Sequence, residues 1–161
     1  MANGGFSFHL KKEDVAAVMR KLNALSDVER AEAVKKGLRA GMDLIIAAGK
    51  SSLATKNKVV TGKLKKSFSK NLRKSKKPHS AYIKGGFRRG NGYGGAAAHL
   101  IDRGTAKRWT RSGKYTGSVS KGAPNHGSLF WTSAVESKGP QAVEALMQAV
   151  NEQIIKIMNS N

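Results

Sequence analysis

The chain has 161 residues, with 30 Lys or Arg against 10 Asp or Glu, a formal net charge of +20 and no cysteine. That length suits one domain, although 18 glycines and few aromatic residues point to a small core with long loops. The lack of cysteine excludes disulfides, thiolate metal sites and thiol nucleophiles, and no run of 18 apolar residues offers a membrane-spanning helix.

The charge is unevenly placed. Residues 44 to 135 hold 20 Lys or Arg and a single acid, Asp102, whereas residues 1 to 43 hold 8 bases and 6 acids and residues 136 to 161 hold 2 and 3. Such a block repels itself unless something anionic lies beside it. Nucleic acid, an anionic membrane and an acidic protein are the candidate neighbours. The first residues lack a basic stretch followed by an apolar run, so no signal peptide is expected and a cytosolic start is the default.

In chain order, Lys11 to Leu25 reads as a short helix, with Val15, Val18, Met19 and Leu22 on one stripe. Ser26 is placed as an N-cap, with Glu29 three residues on to complete a capping box. Behind it Val28, Ala31, Val34, Leu38, Met42, Ile45 and Ile46 carry one apolar face to about Gly49, opposite Arg30, Lys35, Lys36 and Arg39. Gly37 and Gly41 each cost this helix about 1 kcal/mol relative to Ala. Their spacing of four reads either as a close helix contact or as two tolerated glycines. Ser51 to Val60 reads as a polar loop.

Leu64, Phe68 and Leu72 fit either a helix or a short turn leading into a strand, the second being preferred. Ser80 to Phe87 reads as a strand, and Gly85 to Gly95, with six glycines, as a turn or loop. Ala96 to Ile101 reads as a strand or short buried segment. Gly104 to Gly127 is a long basic loop, unusual inside a domain unless it is functional or ordered by a partner. Leu129, Phe130 and Trp131 return to the core. Pro140 suits the first turn of a last helix, whose apolar face is Val143, Leu146, Met147, Val150, Ile154, Ile157 and Met158.

Catalytic chemistry is missing from this pattern. His9, His79, His99 and His126 have no metal-ligand spacing. Asp102 and His99 are the one local acid and imidazole pair, but three residues apart on a strand they face opposite sides. Asp102 is instead expected to pair with Arg103 or with a backbone donor in the following turn. The glycine-rich run lacks the Lys-Ser/Thr ending and following helix of a phosphate loop. No enzyme, cofactor or metal is expected.

Binding chemistry is present. Lys63, Lys65, Lys66, Lys70, Arg73, Lys74, Lys76 and Lys77 form one basic cluster, Arg88 and Arg89 a second, and Lys107, Arg108 and Arg111 a third, with Trp109 and Tyr115 interleaved. Bases mixed with aromatic residues in a glycine-rich context suit a phosphate backbone, bound with strong salt dependence and without base readout. The plain alternative is a solvated basic face.

The order of these pieces resembles the HK97 gp10-like family of tailed-phage tail-completion, head-closure or neck proteins. The resemblance rests on the long helix before a polar loop and on Thr61, Gly62, Lys63 and Leu64 with Ser67 behind them. It rests also on His99 to Thr105, read as a strand ending in an acid before Gly104-Thr105, and on Gly122-Ala123-Pro124 through Phe130-Trp131 to Ala134 before the last helix. These span most of residues 26 to 158. The Lys-rich segment 63 to 77 and the sparse Pro and aromatic motif depart from the family pattern and leave the subtype open.

The resemblance implies an α+β fold, a small mostly antiparallel sheet packed by a long helix of the N-terminal half and a C-terminal helix, with long basic loops. Residues 1 to 161 would form one domain, 1 to 25 an extension and 26 to 158 the core. The two helices would cover the sheet, and Thr61-Gly62 and Gly104-Thr105 would set backbone turns. The resemblance further implies a homo-oligomeric ring in the virion, made in the host cytoplasm and lying between other connector or tail proteins. DNA would pass through it unread, and no membrane is involved. The first two basic clusters would face DNA or an acidic partner, and Lys107, Arg108, Trp109, Arg111 and Tyr115 a neighbouring subunit. A tail terminator ring, and a sequence-independent nucleic-acid-binding module outside any virion, are the competing expectations.

Overall fold

Helix α2, Asp27–Lys56, starts where its capping box places it. The Ser26 amide donates to Glu29 Oε2 at 3.0 Å, and the Glu29 amide returns to Ser26 Oγ at 3.4 Å. Helix α1, Lys12–Asn23, ends just before it. Carbonyls in its last turn and in the link after it find a donor from outside: Arg30 Nε bonds Leu22 O at 3.0 Å, and Arg30 reaches Leu25 O at 3.2 Å.

The computed structural model describes residues 12–56, 62–74, 81–104, 108–109, 111–113, 115–117 and 127–160. After α2 come α3 (Lys63–Ser67), β1 (Phe68–Lys74), β2 (Ala81–Phe87), a 3-10 turn at Gly95–Ala97, and α4 (Ala98–Arg103). Then follow β3 (Arg108–Trp109), β4 (Tyr115–Gly117) and α5 (Phe130–Met158). Strands β1 and β2 form one two-stranded antiparallel sheet and β3 and β4 another, with Arg108 opposite Gly117 and Trp109 opposite Tyr115. The fold is α+β. The chain divides into two compact units, one of Met1–Ile45, Lys70–Gly85 and Glu136–Asn161, the other of Ile46–Ser69 and Gly86–Val135.

The first unit is held by a seam between α2 and α5. Leu22, Leu25, Ala33, Val150 and Ile154 form its buried cluster, with Val18, Val34, Leu146 and Ile157 packed around it. Gly37 and Gly41 are where the two helices touch. A β-carbon on Gly37 would lie 2.7 Å from Leu146 O, and one on Gly41 would lie 2.5 Å from Ala142 O. The glycine pair is thus a close helix contact, and its propensity cost is offset by backbone approach.

The second unit has an aromatic core. Phe68 and Phe87 meet each other edge-on at 4.8 Å between ring centroids, and both meet Phe130 and Trp131 edge-on at 5.4 to 6.0 Å. Each such pair adds about 0.5–1.5 kcal/mol beyond area burial. Gly49 lets α2 approach this cluster, since a β-carbon there would lie 2.9 Å from Phe68 and 3.0 Å from Trp131.

Several expectations are corrected. Residues 51 to 56 continue α2 rather than opening a loop, with Leu53 buried and Thr55 Oγ1 bonded to Ser51 O at 3.0 Å. The segment 98 to 103 is helical, not a strand. The last helix begins at Phe130, so Pro140 lies inside it; Glu136 and Pro140 are both exposed, and water can serve the carbonyl that proline leaves without a donor. Leu129 is exposed rather than buried, as are Met158, Met19 and Val28, the last at 77%. The Val15 side chain lies outside the described residues. For Leu64 to Leu72 the preferred reading holds, a helical turn running into β1.

Gly41→Ala should lower stability by up to about 2 kcal/mol in urea unfolding, because overpacking of about 1–3 kcal/mol is set against a propensity gain of about 1. A net gain would mean that the helices stand further apart.

Candidate nucleic-acid interface

Asp102 is 5% exposed and lies at the end of α4. Its Oδ1 accepts from the Trp131 amide at 2.7 Å and the Thr132 amide at 3.2 Å, and its Oδ2 accepts the Thr132 hydroxyl at 2.6 Å. It is therefore the N-cap of α5, supplied from 29 and 30 residues away. The position where a local cap would sit is Leu129, whose carbonyl accepts the first helical bond from Ser133 at 2.8 Å. Leucine has no side-chain acceptor, so the donors of α5 need a remote one.

The favour is returned. The Ser128 amide bonds Ile101 O at 2.9 Å and the Leu129 amide bonds Asp102 O at 2.7 Å, so the last carbonyls of α4 are satisfied by the segment before α5. Gly104 leaves α4 at φ 78, a positive angle that glycine adopts without strain. Gly127 is pressed onto the Asp102 and Arg103 backbone so closely that no β-carbon fits. Leu129 itself sits at φ 48, which costs a non-glycine residue about 1–2 kcal/mol.

The expected partners of Asp102, Arg103 and the next turn, are thus replaced by donors on α5. The face argument against His99 also changes. On a helix positions 99 and 102 share a side, but His99 is exposed and the carboxylate is spent on the cap. Among the described residues, no group of three or more His, Asp or Glu can hold a metal ion.

A second set of contacts positions the basic residues. Gly62 enters α3 at φ 66. Ser67 is fully buried; its hydroxyl donates to Leu64 O at 2.6 Å and its carbonyl accepts from the Arg88 amide at 2.7 Å. The Gly94 amide donates to Lys63 O at 3.2 Å, and a β-carbon on Gly94 would lie 2.8 Å from Leu64 N. The glycine run is therefore a close backbone contact onto α3. Through it Lys63, Lys65 and Lys66 come beside Arg88 and Arg89 in the second unit, all five exposed. Arg88 lies over the Tyr93 ring, 5.9 Å from its centroid.

The first cluster is nevertheless split. Lys70 and Arg73 stand on β1 in the first unit, where Lys70 pairs with Asp43. Lys76, Lys77, Lys107, Thr61 and Thr105 lie outside the described residues, as do the side chains of Lys74, Arg108 and Tyr115. Trp109 and Arg111 are exposed on and beside the β3–β4 hairpin. Sequence reasoning missed Ser67 as an organiser, and missed Trp131 and Thr132 as the partners of Asp102. No local signal pointed to the latter, because the start of α5 at Phe130 is marked by no capping residue beside it.

Among the described residues no helix is long and apolar enough to cross a membrane. The chain matches no protein-family model, no curated protein and no solved structure.

Asp102→Ala should cost about 2–3 kcal/mol in chemical denaturation, since it strips three bonds from a buried cap, while Asp102→Asn should cost about half of that. Equal losses would mean that charge alone carries the cap. Leu129→Asn, at an exposed left-handed position that Asn tolerates, should raise stability by about 0.5–1 kcal/mol in the same assay.

Proposed function

We propose that this chain is a structural virion protein of the HK97 gp10-like kind, assembling as a ring at the head-to-tail junction of a tailed phage, with a basic surface beside DNA. The observation that carries the reading is the fate of Asp102. The one acid among residues 44 to 135 is buried and consumed by a helix cap, so the exposed bases of that block have no acidic counterpart within it. Lys65, Lys66, Arg88 and Arg89, joined through Ser67 and Gly94, make a surface that suits a polyanion.

The order of the motifs supports the family reading, and so do the left-handed glycines at positions 62 and 104, each at a turn where the resemblance places one. The small antiparallel sheets and the paired long helices suit the α+β class. The helical form of residues 98 to 103 departs from the strand that the resemblance implies. On this reading DNA is gripped through its phosphates and not read.

Light scattering over a concentration series tests assembly. A defined oligomer, alone or with the head or tail complex, is expected; a chain that stays monomeric in both would leave only the nucleic-acid-binding module. Replacing Lys65, Lys66, Arg88 and Arg89 with Glu should reduce the slope of log K against log salt for duplex DNA by about 3–4, at about 0.9 per lost phosphate contact. An unchanged slope would make these residues a solvated face.

A further inference from the structure

The β3–β4 hairpin lies in a stretch, residues 103 to 135, with six Lys or Arg and no acid. Gly113, at φ 80, turns it. Trp109 on β3 is 58% exposed, and Arg111 beside it is exposed. The other tryptophan, Trp131, is packed against Phe68 and Phe87. The surroundings of Trp109 combine a large, more than half-exposed ring with positive charge on both sides in sequence.

Two partners compete for such a hairpin, a second copy of this chain and a nucleic acid. The acids of the chain decide between them. Of the eight whose side chains are described, Asp27 meets Arg30, Glu29 closes a capping box, Asp43 pairs with Lys70, Asp102 caps α5, and Glu152 accepts from Gln148. Glu32 lines a cleft with Lys35, Lys36 and Arg39. Of these eight only Glu136 and Glu144 remain, eight residues apart on α5, so the described residues of a second copy offer little uncommitted acidic surface for the hairpin to meet. Burying the flanking guanidinium groups against it would cost more than it returned.

A nucleic acid fits both features. Phosphates answer the charge, and an exposed base offers its face to the indole, a contact that tolerates any sequence. Duplex DNA hides those faces inside the base stack. We propose that the β3–β4 hairpin is a stacking site for single-stranded nucleic acid, with the Trp109 ring against a base and Arg111 on the neighbouring phosphate. The inference stands apart from the assembly reading, because it concerns what the hairpin touches and is tested on the isolated full chain.

The test titrates the chain with dT and U oligonucleotides of about 15 residues, within the usual site size, and with a duplex of equal length, following tryptophan emission and affinity. Both single strands should quench emission. Trp109→Leu should remove most of that quenching and weaken single-strand binding about tenfold while changing duplex binding less than about twofold; Trp109→Tyr should restore most of the affinity. Arg111→Ala should weaken binding to both forms. A preference for dT or U supports the site and identifies the nucleic acid. Equal losses on single strand and duplex, or no quenching, would overturn it. So would a Trp109→Leu chain that binds normally but shows a smaller mass in light scattering, which would assign the hairpin to a second copy.

Discussion

Two helix ends in this protein finish each other. The carboxylate of Asp102 closes the open amides of α5, and the amides of Ser128 and Leu129 close the open carbonyls of α4. Each end alone would leave buried polar groups without partners, at about 1–3 kcal/mol apiece. Together they also set the negative end of one helix and a negative side chain against the positive end of another. The placement of Phe130 and Trp131 follows from this contact, because their position on the first turn of α5 sends both rings to Phe68 and Phe87. The chain between residues 104 and 127 leaves and returns at the same point, so its length and composition are released from the demands of the core. A basic hairpin can be carried there at little cost to the fold.

The two units solve the core problem differently. In the first, backbone approaches backbone at Gly37 and Gly41, and aliphatic side chains of α1, α2 and α5 fill the rest. In the second, four aromatic rings do most of the filling, and glycine serves to admit them, at Gly49, or to bring α3 against the glycine run, at Gly94. A chain rich in glycine thus uses it at contacts as much as in loops. Composition alone had suggested only a small core with long loops.

Local signals in the sequence were legible and long-range ones were not. The Ser26 and Glu29 box, the apolar stripe behind it and the strand at Phe87 are written in neighbouring residues, and each has its place in the structure. The beginning of α5 is not. Leu129 has no capping side chain, so residues 130 to 139 gave no start signal, and Pro140 imitated one. The capping group lies at Asp102, which pairing across 29 residues hides from any local pattern. Residues 98 to 103 were misread for the same reason, since that short helix is held at its end by contacts from residues 128 and 129 rather than by periodicity. Of the interface, residue types were legible but grouping was not. Lys63 to Lys77 looked like one cluster, yet Lys70 is neutralised by Asp43 in one unit while Lys65 and Lys66 join Arg88 and Arg89 in the other.

That regrouping changes what the charge means. A net +20 spread evenly would be a statement about solubility and non-specific attraction only. Here the acids are spent on structure: caps at Glu29 and Asp102, a strand-to-helix pair at Asp43, and a short helix contact at Asp27. In the middle segment Lys65, Lys66, Arg88, Arg89 and Arg111 stand exposed. Among the described residues, those four acids are tied to bonding within the chain while these five bases face outward. Screening at about 8–10 Å in physiological salt confines that outward field to a close partner. On the proposed reading the partner touches the surface and supplies its own negative charge in quantity, as a phosphate backbone would.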